Sequence, residues 1–388
     1  MNVTDETGRL EIPTGTGFDL ERPFLMAKNA STPVIDGQEV RKILIVRPSA
    51  IGDVAMASPI LPVLRDAFPD AEICWLLEPH IVDVLKTNPC LDRIIVWPKG
   101  AWLKSWKSGR LLELVRRIWA FARELRSERF DVALDIQGLL RSRLLARCSG
   151  APVRIGFDSK EPGRFLMSRI VSRGADSDRM GSEYLHMMKE LGCSPGLFHP
   201  CLDVDPRDAA VALAELGSAG IVSRFLAIAP FTTRPQKHWF EDRWAELAGT
   251  TVSTLGMQVV VLGGPADCEA AARICAGAGK GVFTLAGKLT LAQSMAVIRE
   301  CTLLVGVDTG LTHIGPAFER PTVALFGATC PYLVTSRNNT AVLYHRKSCS
   351  PCRRSPTCDG RYMCMEDITV PEVLECIARL LPREDASR

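Results

Sequence analysis

The sequence predicts an α/β protein built from two doubly wound domains of similar size that face each other across a cleft. Short apolar runs suited to buried strands alternate with amphipathic helical stretches, which indicates a parallel sheet with helices on both faces. The alternation pauses at "FHPCLDVDPRD", residues 198–208, and then restarts. At 388 residues, the chain is also too long for one ordinary core.

The pattern predicts four parts. Residues 1–40 carry Thr, Gly, Pro and mixed charge without periodicity, which is typical of a disordered extension. We expect the first domain at 41–200, the second at 201–370, and a C-terminal helix and tail at 371–388. These boundaries place one complete sheet on each side of the pause.

Each strand in the first domain is predicted from a short apolar run. The first, Ile43–Val46, fits a strand that is buried on both faces. The next runs are "EICWLLE", "RIIVWP", "DVALDIQG" and "VRIGF", and the helical stretch "LLELVRRIWAFARELRS" lies before the fourth strand. The second domain repeats the pattern with "RFLAIAPF", "QVVVLGG", "VFTLAG", "LLVGVD" and "TVALFG".

Bulk composition excludes several classes of protein. Hydrophobic residues make up 47% and charged residues 23%, as in soluble globular proteins. A net charge of only +3 argues against a protein devoted to nucleic acid. We find no apolar run of membrane-spanning length and no signal core, so we expect a cytoplasmic protein whose 14 cysteines are mostly buried thiols.

Polar residues cluster where the predicted strands end, the edge at which doubly wound sheets bind ligands. After "LLVGV", Asp308, Thr309 and Gly310 lead into a helix whose N-terminus would attract an anion. Thr309 would cap this helix, and His313 lies one turn further along. The alternative is an ordinary N-cap followed by a core histidine.

Two more strand ends in the second domain suit a nucleotide. Thr232 and Thr233 offer hydroxyl groups, and Lys237, just before a helix predicted from Trp239, would act as a point charge on a diphosphate. The alternative is a solvated surface lysine. Further on, the turn Gly263–Gly264 precedes Glu269, which would accept from ribose hydroxyls or would simply be an acid favoured by the helix dipole.

The first domain offers a carboxylate and a basic cluster. Asp53 follows the first strand at a helix start, where it would serve as a general base or as an N-cap. Gln137, Arg141 and Arg143 follow the fourth strand and would hold an anionic acceptor. For these three residues, a solvated basic helix face is an equally open alternative.

Residues 99–129 combine Trp with Lys and Arg, a composition that suits an anionic glycolipid or a phospholipid headgroup layer. We therefore expect peripheral contact with the cytoplasmic face of a membrane. An ordinary basic helix would have the same composition.

Two motifs raise the question of metal. The possible ligands of a structural Zn or Fe ion are Cys349, Cys352, Cys358 and Cys364. Reduced thiols or oxidisable pairs are the alternative, because the second CxxC is missing. The triplets "DSD" at 176–178 and "DVD" at 203–205 do not directly follow a core strand, so we expect loop acids and no metal for catalysis.

Several of these motifs resemble glycosyltransferase family 9, the lipopolysaccharide heptosyltransferases. The resemblance runs from about residue 41 to 380 and rests on "ILIVRPSAIGDVAMASPIL" and "VGVDTGLTHIGPAFERPTVALFGAT". It includes "DIQGLLRS", "KHW", the Gly-Gly and Glu element, and the cysteines of the last segment.

The resemblance implies the GT-B fold, with two Rossmann-like domains, and an inverting transfer of heptose from a nucleotide-sugar, ADP-heptose, to a lipopolysaccharide core or lipid-linked acceptor. It implies that the N-terminal domain binds the acceptor and the C-terminal domain the donor. Asp53 would be the general base, Lys237 would bind the donor phosphates and Glu269 the nucleoside. The residues implied to frame the diphosphate and the sugar are Asp308, Thr309, Gly310 and His313.

Three other interpretations stay open. A family 9 transferase with another donor or a protein acceptor would fit, and some such members hold iron with C-terminal cysteines. A GT-B nucleotide-sugar epimerase would leave the basic aromatic segment 99–129 without a task. A binding protein without catalysis would not need both Asp53 and Lys237.

Overall fold

The structure is a computed structural model, and it describes residues 34–174, 176, 178–221, 223–329, 331–335, 337, 339–352 and 355–381. Most of the predicted disordered extension, residues 1–33, lies outside this range. Residues 34–39, which that prediction included, instead form an antiparallel hairpin of β1 (Val34–Ile35) and β2 (Gln38–Glu39). Asp36 and Gly37 make its turn with positive φ angles of 48° and 80°, the conformation that Asp-Gly favours.

The first sheet has six parallel strands in the order β5-β4-β3-β6-β7-β8. Its strands are β3 (Lys42–Val46), β4 (Glu72–Leu77), β5 (Arg93–Val96), β6 (Val132–Asp135), β7 (Val153–Phe157) and β8 (Arg169–Val171). The helices along this part of the chain are α1 (Ile51–Ala57), α2 (Ile60–Ala67), α3 (Lys99–Lys107), α4 (Leu111–Ser127), α5 (Leu140–Cys148) and α6 (Ser182–Glu190). The five predicted strands are present, and β8 is an addition that its three residues gave little means of predicting.

The second sheet repeats this topology, with the order β11-β10-β9-β12-β13-β14. Its strands are β9 (Phe225–Ala229), β10 (Gln258–Val261), β11 (Val282–Thr284), β12 (Leu303–Val307), β13 (Thr322–Phe326) and β14 (Thr340–Tyr344). The helices are α7 (Pro206–Ser218), α8 (Glu241–Leu255), α9 (Cys268–Ala278), α10 (Leu291–Glu300), α11 (Gly310–Ile314), α12 (Met363–Glu366) and α13 (Val370–Leu380). The helix predicted from Trp239 begins at Glu241, because Phe240 still has an extended backbone.

The shared strand order places the topological switch point of each sheet between its first and fourth strands. In the first sheet these are β3 and β6, with Val46 opposite Asp135. In the second they are β9 and β12, with Ala229 opposite Gly306. Loops that leave these strand ends are the usual ligand-binding positions of such sheets.

The chain divides into two compact units that are not continuous in sequence. Of the residues that the structure describes, the first unit comprises 34–49, Ile60–Gly174 and Glu183–Gly196, and the second comprises the others, including Ala50–Pro59. Helix α1 therefore belongs with the second unit, although it directly follows a strand of the first sheet. In the part of the chain described, no helix has both the length and the apolar composition needed to cross a membrane.

Candidate active site

The polar centre of the second unit is the carboxylate of Asp308, the first residue after β12. Lys237 Nζ lies 2.5 Å from Asp308 Oδ2, and Thr329 Oγ1 donates to the same oxygen at 2.5 Å. His313 Nε2 lies 3.2 Å from Asp308 Oδ1. Both carboxylate oxygens thus have partners within the protein, so Asp308 positions a cation and an imidazole.

The electrostatics of Asp308 favour its charged form. Burial raises the pKa of the Asp308 carboxyl, but hydrogen bonds and charge interactions with His313 and Lys237 lower it further, and the net pKa is well below the ordinary range. The Asp308 carboxylate holds Lys237 at the carboxyl end of the sheet through their 2.5 Å ion pair. Lys237 itself ends a short 3₁₀ segment, Pro235–Lys237, after β9.

His313 is fixed from both sides of its ring. Its Nδ1 lies 3.2 Å from the hydroxyl of Tyr332, and the two ring centroids are 5.6 Å apart. Phe326 completes an aromatic cluster with Tyr332 at 5.5 Å. Sequence reasoning missed Thr329 and Tyr332, although both follow the carboxyl end of β13, the same edge that drew attention to Asp308.

Two glycines allow α1 to pack directly on α11. A Cβ at Gly52 would lie 2.3 Å from His313 Cδ2, and a Cβ at Gly310 would lie 2.7 Å from Ile51 Cβ. A side chain at either position would collide with its neighbour unless the His313 ring, Ile51 or the helices themselves moved. The pairing of "IGD" with "DTGLTH" therefore has a packing reason, and it brings the residue next to Asp53 against the His313 ring.

Asp53 occupies the third position of α1. One of its carboxylate oxygens accepts a hydrogen bond from the Ala50 N–H at 3.2 Å, and the side chain is half-buried. The N-cap of α1 is Ala50, so the interpretation of Asp53 as the N-cap is wrong, although its carboxylate bonds the N-cap N–H from the third position. This hydrogen bond orients the carboxylate on the same helix that contacts His313.

The other predicted donor residues line the same strand ends. Thr309 stands at the N-cap position of α11, but its side chain makes no capping hydrogen bond, so the expected cap is wrong. The carbonyl of Thr232 lies 2.7 Å from His238 Nε2, which ties down the loop after β9, while Thr233 is exposed.

After β10, the turn at Gly263 and Gly264 packs closely. A Cβ at Gly263 would lie 2.7 Å from Phe231 Cδ2, and the Gly264 N–H donates to Asp267 Oδ2 at 2.8 Å. Asp267 is a turn-forming residue that sequence reasoning missed. Glu269 is exposed in the first turn of α9.

The basic cluster after β6 divides into different roles. Arg143 is completely buried and donates to the carbonyls of Phe157, Glu161 and Pro162 at 2.7–3.0 Å. The alternative of a solvated helix face is therefore wrong for Arg143, and its predicted contact with an acceptor is not supported, because its buried guanidinium ties a loop to α5. Arg141 is exposed, and the Gln137 amide donates to the carbonyl of Ser49 at 3.1 Å.

The possible metal motifs do not form a ligand set. Over the described ranges, no three His, Cys, Asp or Glu side chains are arranged to hold a metal ion, and this includes the four C-terminal cysteines. The interpretation of those thiols as a structural Zn or Fe site is therefore not supported. Asp205 of "DVD" instead accepts the Arg207 N–H at 2.8 Å and caps α7.

The two parallel six-stranded sheets of the same topology, with an ionic centre at the switch point of the second, agree with the GT-B fold. The family model "Glycosyltransferase family 9 (heptosyltransferase)" matches residues 118–363, and the chain belongs to this family.

Named relatives agree with this assignment. The chain is 28% identical to lipopolysaccharide heptosyltransferase 1 of Pseudomonas aeruginosa, over 89% of this chain and 96% of that protein. It is also 28% identical to lipopolysaccharide heptosyltransferase 1 of Escherichia coli K12, over 76% and 90%. The structure of E. coli heptosyltransferase WaaC with ADP-2-deoxy-2-fluoro heptose superposes with a TM-score of 0.67 at 24% identity, over 87% of this chain and 99% of that one.

Proposed function

We propose that this glycosyltransferase moves a heptose from ADP-heptose to the core of lipopolysaccharide, or to a lipid-linked precursor of it, with inversion at the anomeric carbon. The observation that carries the proposal is the centre formed by Lys237, Asp308 and His313, packed against the helix of Asp53. The named relatives support the sugar and the acceptor, and the ligand of WaaC supports the donor.

In the proposed reaction, an acceptor hydroxyl attacks the anomeric carbon and Asp53 takes the hydroxyl proton. The bond between that carbon and the diphosphate oxygen breaks, and ADP leaves with the bonding electrons. Lys237 and the start of α11 would stabilise the charge that develops on the leaving diphosphate. This assignment needs no metal ion, and Glu269 would accept from the ribose hydroxyls.

Thr232, Thr233, Gly264, Thr309 and Gly310 would complete the donor site, because they follow the carboxyl ends of β9, β10 and β12, the same edge of the sheet as Lys237 and Asp308. Gln137 and Arg141 would contact the acceptor. The protein would act at the cytoplasmic face of the membrane that carries the acceptor. A protein acceptor and epimerisation of the free donor are the competing outcomes.

The test is transfer from ADP-heptose to a heptose-free lipopolysaccharide precursor, in EDTA, with product stereochemistry read by NMR. We expect an inverted product and no epimerised free donor. Asp53→Asn should lower turnover by about 10²–10⁴-fold while leaving ADP binding intact. Asp66→Asn, an exposed acid on α2, is the matched control. Transfer only from a UDP-sugar, or only with Mg²⁺, would overturn the proposal.

A further inference from the structure

Helices α3 and α4 of the first unit expose an unusual amount of apolar surface. Leu112 is 80% exposed, and Trp106 and Trp119 are each 62% exposed. We define the α3–α4 face as the exposed apolar residues Leu103, Trp106, Leu111, Leu112, Val115, Ile118 and Trp119. Single exposed apolar residues are ordinary on a protein, but seven on two consecutive helices indicate a contact surface.

The apolar arc of α4 is wider than its core contact requires. Leu114, Phe121 and Leu125 point inward, with Leu125 only 2% exposed. Leu111, Val115 and Ile118, at spacings of four and three, continue the arc outward into solvent. The core thus covers one part of the arc, and the remainder has no cover within the described chain.

Aromatic contacts on the inner side of α3 and α4 keep the α3–α4 face directed towards the solvent. Trp102 packs edge-on against Trp97 at 5.8 Å and against Phe121 at 5.6 Å, and these aromatic contacts join α3 and α4 to the sheet. Of the three tryptophans between residues 102 and 119, this inward packing occupies one and leaves Trp106 and Trp119 outside. The fold of this unit therefore leaves Trp106 and Trp119 exposed.

The net charge of α3 and α4 indicates which kind of partner the α3–α4 face would bind. Residues 99–127 contain eight Lys or Arg and two Glu, a net charge of +6, whereas the whole chain carries +3. Arg123 places its guanidinium 5.0 Å from the Trp119 ring, and Arg116 lies beside it on the same flank of the apolar arc. Aromatic residues beside snorkelling cations suit the boundary between lipid headgroups and acyl chains.

We propose that the α3–α4 face docks this protein on an anionic phospholipid surface. A second copy of the chain is a poorer occupant, because two faces of charge +6 would repel each other. An anionic bilayer accepts both features, since its headgroups attract the cations and its interior takes up the apolar side chains. The inference deepens the proposed function, because it names the surface that would hold the enzyme on its membrane. It rests on the proposed function only for the identity of the acceptor in that membrane.

The experiment is flotation of the full chain with vesicles of phosphatidylglycerol and phosphatidylcholine, compared with vesicles of phosphatidylcholine alone. Neither donor nor acceptor is present. We expect binding to the anionic vesicles only. The double variant L112S/W119S should weaken it at least about tenfold, since affinity scales with apolar area inserted. Leu213→Ser, which removes a 52% exposed leucine on α7, should bind like the unchanged protein.

A variant in which two arginines are replaced by glutamates provides a second test of vesicle binding. R116E/R123E should also lose binding, and salt should weaken the unchanged protein only in part, because the apolar contact is not screened. Equal binding by L112S/W119S, or no preference for anionic vesicles, would overturn the inference. A dimer that becomes monomeric in L112S/W119S would assign the face to a protein interface instead. Failed heptose transfer with intact vesicle binding would overturn the proposed function alone.

Discussion

The two sheets share one topology but place their ionic clusters at opposite ends. In the second unit, Lys237 and Asp308 meet at the carboxyl ends of β9 and β12, where ligands bind. In the first unit, Lys42, Arg93 and Glu128 meet at the amino ends of β3 and β5. The first unit does have an ion pair at its carboxyl edge, Lys99–Glu78 at 2.9 Å, but this pair follows β4 and β5 and lies away from the switch point. The position of an ion pair relative to the switch point therefore indicates whether it can contact a ligand.

At its own switch point, the first unit uses arginines differently. Arg47 donates to the carbonyl of Ile136 at 2.7 Å, and Arg143 donates to carbonyls around Phe157. Backbone carbonyls are fixed partial charges, so these arginines hold loops in place. Lys237 is paired with a side chain, which allows its charge to be shared with an arriving diphosphate.

The largest effect should come from Asp308→Asn. Removing this carboxylate leaves Lys237 uncompensated in a buried setting, so the free energy of unfolding should fall by about 4 kcal/mol. Donor binding should weaken as well, because Lys237 and His313 lose their common anchor. Urea unfolding and ADP titration measure the two effects. Unchanged stability would mean that the pair is not an anchor.

The next largest effects should differ in kind between Lys237→Met and Arg143→Met. Losing Lys237 should lower turnover by about 10²–10³-fold, the usual cost of removing one stabilising donor. Losing Arg143 should lower the free energy of unfolding by about 3 kcal/mol, because several buried carbonyls lose a charged donor.

Steady-state kinetics and unfolding curves of both variants make the comparison. Folded Arg143→Met should keep its kcat/KM. If that variant stays folded yet loses transfer to the acceptor, Arg143 would regain the acceptor role that its burial argues against.

A smaller effect is expected from Gly52→Ala, which tests the packing of α1 on α11. The added methyl group would meet the His313 ring, and overpacking of this kind costs about 2 kcal/mol. Gly217→Ala is the matched control, since a Cβ there has no neighbour within 4 Å. That control should be slightly stabilised, because Ala favours α7. Thermal unfolding of both variants measures this difference. Equal Tm shifts would contradict a tight contact between Gly52 and the His313 ring.

The smallest effect concerns acid stability of the first unit. Burial raises the pKa of Glu128, but hydrogen bonds and charge interactions with Arg93 and Lys42 lower it to about 2. A depressed pKa stabilises the fold above the unfolded value near 4.5 and loses this stabilisation as the pH falls towards 2. Glu128→Gln should cost about 1 kcal/mol at pH 7 and flatten this loss. Activity at pH 7 should not change, which distinguishes this cluster from that of Asp308.

Much of the site was predictable because it follows strand ends. Asp308, His313 and Lys237 each follow an apolar run that could only be a buried strand, and the structure brings all three together. Their partners Thr329 and Tyr332 were missed, since a hydroxyl group after a strand carries no distinct pattern. Arg143 was predicted wrongly because an arginine on a helix looks exposed unless the loop that covers it is known.

The sequence alone determined the alternation of strands and helices, and thereby which polar residues reach the carboxyl edge of each sheet. These are local properties, set by the periodicity of apolar residues along a few turns or pleats. Only the tertiary structure decided that α1 joins the second unit, that Arg143 points inward, and that Trp106 and Trp119 stay outside while Trp102 packs inside. Such outcomes depend on contacts between distant segments, as Lys237 and Asp308 show at a separation of 71 residues. No local pattern encodes them, because each side chain's environment is completed by the rest of the fold.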